Sequence, residues 1–231
     1  MVNHHHDHAE TFGGRLLITM LINLLIPSAQ IAGGIAAGSM ALISDAVHNL
    51  GEFAALVMAY GAHRAGRRGP SLRHTFGLQR LEILAAVINA TLLCGAALFI
   101  AVEALKRLTV PVSINLNVVS WLALLGVAGN GLSAWLLHKD SERNLNARGA
   151  FLHMMGDMLT SVAVRGGALG MRVFHLPWLD TALSLVIAVY IVWNGLTLLK
   201  EALHVLMNGV PRGIDLEAVK TAMEAMVGVD G

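Results

Sequence analysis

Six runs of about twenty mainly apolar residues, separated by short polar breaks, constrain this chain more than any other feature, because a helix of that length crosses the hydrocarbon layer of a membrane. The runs are 16–37, 40–62, 81–102, 112–137, 148–171 and 181–199. Gly38-Ser39, the basic stretch 63–80, Thr109-Val110-Pro111, the polar stretch 138–146 and His175-Leu176-Pro177 break them. Composition agrees. Of the 231 residues, 55% are hydrophobic and 13% are Asp, Glu, Lys or Arg, about half the charged share of an ordinary soluble domain. A soluble chain this short has too little interior to hide that much apolar surface. A net charge of +1 offers no basic face for nucleic acid. The single cysteine, Cys94, excludes an internal disulfide and a CxxC site. The expected fold is an all-α membrane protein of six transmembrane helices.

Lys and Arg give the orientation, since they collect on the cytoplasmic side. With six spans both termini share a side. Twelve of the sixteen Lys and Arg residues fall on that side, at positions 15, 64, 67, 68, 73, 80, 139, 143, 148, 200, 212 and 220; Lys106, Arg107 and Arg172 fall on the other. Both termini are therefore expected in the cytoplasm. Beyond the sixth span, Leu216, Val219, Met223 and Met226 recur at spacings of three and four, which predicts one amphipathic helix started by Asp215. Three regions are expected: a His-rich cytoplasmic tail at 1–14, a six-helix transmembrane domain at 15–203, and at 204–231 the incomplete beginning of a cytoplasmic domain, with a surface helix packed on the membrane domain as the alternative.

Ionisable side chains inside spans are costly and mark function. The second span carries His48-x-x-x-Glu52 and the fifth carries His153-x-x-x-Asp157. Residues four apart share a helix face, so each helix offers one imidazole and one carboxylate from one stripe. Two such stripes facing each other supply the mixed nitrogen and oxygen set that holds tetrahedral zinc. The same set accepts cadmium, cobalt, nickel or iron and suits calcium and magnesium poorly. A hydrogen-bonded network that merely stiffens the bundle is the alternative, and the repetition of the pattern weighs against it. Asp45, three residues before His48, is either a hydrogen-bond acceptor that orients a ligand imidazole or a structural group near the helix start. Arg165 is expected to pair with Glu103 or Asp180 or to reach the membrane interface; Glu82 reads as a packing or subunit contact. His4, His5, His6 and His8 form a tract able to bind metal loosely. His74, with His63 as a conceivable partner, is a weak candidate for an accessory site in the basic loop.

The stretches GSMALISDAVHNLGE, RHTFGLQRLEILAAVINA, NLNARGAFLHMMGDMLTSVAV, WLDTALSLVIAVYIV and VLMNGVPRGIDLEAV resemble the cation diffusion facilitator family, in particular its zinc-transporter branch. The resemblance runs from residue 14 to about 227. It implies a homodimer in a bacterial inner membrane that exports zinc in exchange for protons, with a cytoplasmic ferredoxin-like C-terminal domain of which 204–231 is the start. It places the transport site on His48, Glu52, His153 and Asp157. Glu52 stands where that branch usually has Asp, which bears on metal preference. The rival readings are a passive cation channel, a membrane metal-binding sensor or receptor, and an intramembrane metal hydrolase. The last lacks an HExxH motif and any positioned nucleophile.

Overall fold

The computed structural model describes residues 6–67, 78, 80–110, 112–141, 145–210 and 213–225, with backbone only for 6–18, 139–141 and 145–147. Seven helices and no strand occur among the described residues: α1 (His6–Ala37), α2 (Met40–Gly66), α3 (Leu81–Thr109), α4 (Leu116–Ser141), α5 (Leu145–Phe174), α6 (Trp178–Leu206) and α7 (Leu216–Glu224). Each expected span lies within one long helix, apart from the first residues of the fourth. That span was expected from residue 112, but helix begins at Leu116. Just before it, Asn115 donates its backbone N–H to the Ala37 carbonyl at 2.9 Å and accepts from Val118 N at 3.3 Å through its side chain. Those two bonds turn the chain into α4 and tie it to the end of α1.

By length and apolar composition α1 (from Thr19), α3, α4 (to His138) and α6 are able to cross a membrane. α2 and α5 fall short because charges interrupt their apolar runs, Asp45 and Glu52 in α2 and Arg148, Asp157 and Arg165 in α5. Pro27 lies inside α1 without ending it, which lipid-embedded helices tolerate when neighbours satisfy the freed backbone group. The outward faces are strongly apolar: Trp121, Trp135, Phe99, Val189 and Trp193 are all exposed, as expected of side chains solvated by lipid.

The helices alternate in direction. At one end, the turns between α1 and α2, α3 and α4, and α5 and α6 meet; the ends of α2, α4 and α6 and the starts of α3 and α5 meet at the other, where most Lys and Arg lie. α4 packs along α5 and α3 along α6; α1 lies between α2 and α4, and α2 also touches α3 and α6. Beneath the three turns is a dry apolar plug of Ala37, Ala41, Leu42, Val119, Ala123, Val164, Ala168 and Ile187. At the basic end, among the described residues, there is a small cluster around Ala134, Leu137 and Met154.

A buried carboxylate locks the plugged end. Ser39 caps α2, its Oγ accepting from Leu42 N at 3.2 Å and donating to Asp180 Oδ1 at 2.5 Å. Asp180 also accepts from Met40 N at 2.8 Å and Ala41 N at 3.4 Å. A side chain of α6 thus satisfies N–H groups that the first turn of α2 leaves without partners. Arg107 of α3 donates to the Gly38 carbonyl in the same corner. Gly38 has φ +73°, and a Cβ there would lie 2.9 Å from the Ser113 carbonyl oxygen, so the α1–α2 turn requires glycine. Close approach elsewhere is uneven. Gly51 meets Leu93 and Gly167 meets Leu183, whereas nothing lies within 4 Å of a Cβ built on Gly156 or Gly166. Helix α7 forms as expected, with Asp215 Oδ1 accepting from Glu217 N and Ala218 N at 3.0 and 3.3 Å.

Candidate metal site

His48 and Glu52 leave α2 from one face, one turn apart, and His153 and Asp157 do the same from α5. His48 Nε2 lies 3.3 Å from Glu52 Oε1, and Glu52 Oε2 lies 2.7 Å from His153 Nε2. His153 Nε2 is 3.5 Å from Asp157 Oδ2. Ligand atoms of His48, Glu52 and Asp157 all fall within 4.8 Å of one another, and His153 joins them through the two carboxylates. The longer arm of glutamate has a visible consequence: Glu52 spans the gap between the helices and touches both imidazoles.

Access to the four is unequal. His48 and Asp157 are buried, while the side chains of Glu52 and His153 are 29% and 43% exposed. A cavity of about 260 Å³ lies on the basic-end side of the group, lined by Thr19, Asn23, Asn49, Glu52, Leu56 and His153 among others. On the opposite side, Asp45 of α2 is fully buried. Its Oδ1 accepts from Thr160 Oγ1 at 2.7 Å and its Oδ2 from Ser161 Oγ at 2.8 Å. Asp45 therefore reaches across to α5, not back to a ligand imidazole. Tyr190 of α6 flanks His48 edge-on, with ring centroids 5.5 Å apart.

The carboxylate pairing expected of Arg165 is corrected. Arg165 pairs with neither Glu103 nor Asp180; its Nη1 donates to the Ser120 carbonyl of α4 at 2.8 Å. Its position on α5 turns it toward α4, the helix packed along α5, while Glu103 pairs with Lys106 and Asp180 with the start of α2. Glu82 bonds to His63 Nδ1 at 2.8 Å, joining α2 to α3 at the basic end. His74 lies outside the described residues, as do His4 and His5 and the side chains of His6 and His8.

Sequence reasoning passed over the polar groups of α1 and the two hydroxyls of α5. Thr19, Asn23 and Gln30 recur at spacings of four and seven within an otherwise apolar run, the signature of a stripe turned inward. Asn23 Nδ2 lies 3.4 Å from Met154 Sδ, and Gln30 Nε2 donates to the Leu122 carbonyl at 3.2 Å. Thr160 and Ser161 fall three and four residues past Asp157, which was the available signal for a link beside the ligands.

Residues 16–207 match the family described as the cation efflux transmembrane domain. The chain is 37% identical over 226 residues to the metal cation efflux system protein CzcD of Cupriavidus metallidurans, covering 98% of this chain and 72% of that protein. It is 34% identical over 234 residues to a cadmium, cobalt and zinc/H(+)-K(+) antiporter of Bacillus velezensis, covering 99% and 74%. To the zinc transporter ZitB of Escherichia coli it is 35% identical over 229 residues, covering 95% and 72%.

Proposed function

As the chain belongs to the cation efflux family, we propose that it exports zinc by alternating access, exchanging each ion for protons between α2 and α5. It is an efflux transporter of divalent metal cations, not an enzyme. The observation that carries the finer reading is the meeting of two imidazole–carboxylate pairs from different helices, with ligand atoms of three members within 4.8 Å of one another. Zinc is the preferred cargo because two nitrogens and two carboxylates suit it, and because relatives of comparable similarity are named for zinc, cadmium and cobalt.

The state described here faces the basic end. An entering ion meets Glu52 and His153 at the cavity wall first, then His48 and Asp157 behind them. His153 Nε2 and Glu52 Oε2, 2.7 Å apart, are the first pair of ligand atoms that the ion reaches. Metal binding to imidazole and carboxylate ligands releases the protons they carry. Below the site the Asp45 link and the apolar plug close the other path. When the bundle rocks and the plugged end opens, protons compete for the same lone pairs and free the ion. α2 and α5 complete a set of six spans, with both termini on the basic, cytoplasmic side of a bacterial plasma membrane. The family resemblance supports a homodimer and a ferredoxin-like domain beginning near residue 204.

Sealed vesicles containing the purified protein and a pH-sensitive dye test this reading. Zinc uptake with opposite movement of protons is expected. Zinc flux without proton movement favours a channel, and binding without flux favours a receptor. A second expectation concerns Glu52. Glu52→Asp shortens the arm that touches both imidazoles by one methylene, so transport persists and the ranking of zinc, cadmium and cobalt changes, as read by competition in the same vesicles. An unchanged ranking removes Glu52 from selectivity.

A further inference from the structure

One helical turn beyond the ligands, on the side away from the cavity, α2 and α5 are clasped together. The clasp is the Asp45 carboxylate with the hydroxyls of Thr160 and Ser161, at 2.7 and 2.8 Å. Asp45 and Ser161 are fully buried. Thr160 Oγ1 also lies 2.8 Å from the Asp157 carbonyl oxygen, so the clasp includes the backbone turn that carries a ligand. Apart from the contacts among the ligands themselves, no other side-chain hydrogen bond joins α2 to α5 among the described residues.

We infer that this clasp sets the separation of the two imidazole–carboxylate pairs and so selects the size of cation the site accepts, with Asp45, Thr160 and Ser161 as positioning residues. The inference rests on the reading of His48, Glu52, His153 and Asp157 as ligands. Three physical arguments support it. Helices in lipid lack a hydrophobic drive to associate and depend on packing and hydrogen bonds for their spacing. Packing does not fix the spacing on the basic-end side of the ligands, where the cavity lies, so the nearest fixed point is the clasp. A metal site holds its ligands to within about 0.2 Å of ideal distances, so a small change in helix separation is enough to favour a larger ion such as cadmium over zinc.

α4 bears on the same clasp. A Cβ on Gly126 would lie 2.8 Å from Ser161 Oγ and 2.6 Å from Gln30 Nε2. Only a bare backbone leaves the Ser161 hydroxyl where Asp45 needs it. Gly126→Ala is therefore an independent way to disturb the clasp without touching a member of it.

The test is the apparent KM for zinc and for cadmium in sealed vesicles, for Ser161→Ala, Ser161→Thr, Thr160→Val and Gly126→Ala. Removal of groups that orient metal ligands commonly costs about 10–100-fold in metal affinity. Ser161→Ala and Thr160→Val are expected to raise the KM for zinc about tenfold and that for cadmium by less, with little change in kcat. Gly126→Ala shifts the ratio in the same direction, and Ser161→Thr, which keeps the hydroxyl, restores it. A zinc-to-cadmium KM ratio unchanged in both Ser161→Ala and Thr160→Val overturns the inference. So does an equal rise for both metals that Ser161→Thr fails to rescue, which is the mark of general damage. Asp157→Ala in the same vesicles separates the two levels: normal flux there defeats the ligand reading itself, whereas lost flux there with an unchanged ratio in the clasp variants defeats this inference alone.

Discussion

Asp157→Ala is expected to lower zinc flux to below about one hundredth of the unsubstituted rate while the bundle stays folded. Groups that merely orient ligands are worth about 10–100-fold in metal affinity, and a ligand carries more. Asp157 is buried beside His48 and Glu52 and lies 3.5 Å from His153. Without it the ion keeps one carboxylate, and the positive charge entering the bundle loses half of its compensation. The fold survives because the Asp157 side chain bonds to no backbone group among the described residues. His153 keeps its 2.7 Å contact with Glu52, and Thr160 keeps the Asp157 carbonyl, which alanine also supplies. Flux of radioactive or dye-reported zinc, paired with thermal unfolding in detergent, checks both halves. Flux near the unsubstituted level contradicts the assignment.

The second large effect is on stability. Asp180→Ala removes three hydrogen bonds at once, from Ser39 Oγ, Met40 N and Ala41 N. Two of these donors are backbone groups in the first turn of α2, on the buried residues Met40 and Ala41. Each buried donor left without a partner costs about 1–3 kcal/mol, so a total near 3 kcal/mol or more is expected. For a chain of this size that corresponds to a fall of about 10 °C in the unfolding midpoint. Asp180→Asn keeps one acceptor oxygen and falls between the two. The metal ranking of whatever protein remains folded is unchanged, because the corner lies at the plugged end, away from the ligands. A midpoint within about 2 °C of the unsubstituted protein contradicts this account of the corner.

These two residues also mark how far the sequence could be read. Asp157 was legible: an ionisable group in an apolar run is conspicuous, and its i,i+4 partnership with His153, repeated by His48 and Glu52, named a shared face. Helix identity was legible for the same reason, since runs of about twenty apolar residues admit few alternatives in lipid. Asp180 was not, because it stands at the edge of an apolar run, where a charge needs no explanation. Its partner Ser39 lies 141 positions away in the chain. Periodicity says which residues share a face and is silent on which helix that face meets. That is why the sequence names neither the Ser120 carbonyl as the partner of Arg165 nor Thr160 and Ser161 as the partners of Asp45, whose structural alternative is the one that agrees with these bonds. The start of α4 was misplaced because the apolar count cannot sense that Asn115 is held by the Ala37 carbonyl. α2 and α5 show the limit of hydropathy from the other direction. The residues that give these helices their proposed role also lower their apolar character, so a composition threshold passes over them.

The most direct measurement is the position of the ion itself. Crystals of zinc-loaded protein, with diffraction recorded across the zinc absorption edge, give an anomalous peak whose place owes nothing to the modelling of side chains. The account predicts one strong peak between α2 and α5, about 2.0–2.2 Å from His48 Nε2, His153 Nε2 and a carboxylate oxygen of each of Glu52 and Asp157. A peak held by two or fewer of these side chains, or zinc found only on the His-rich N-terminal stretch or the basic loop, contradicts it.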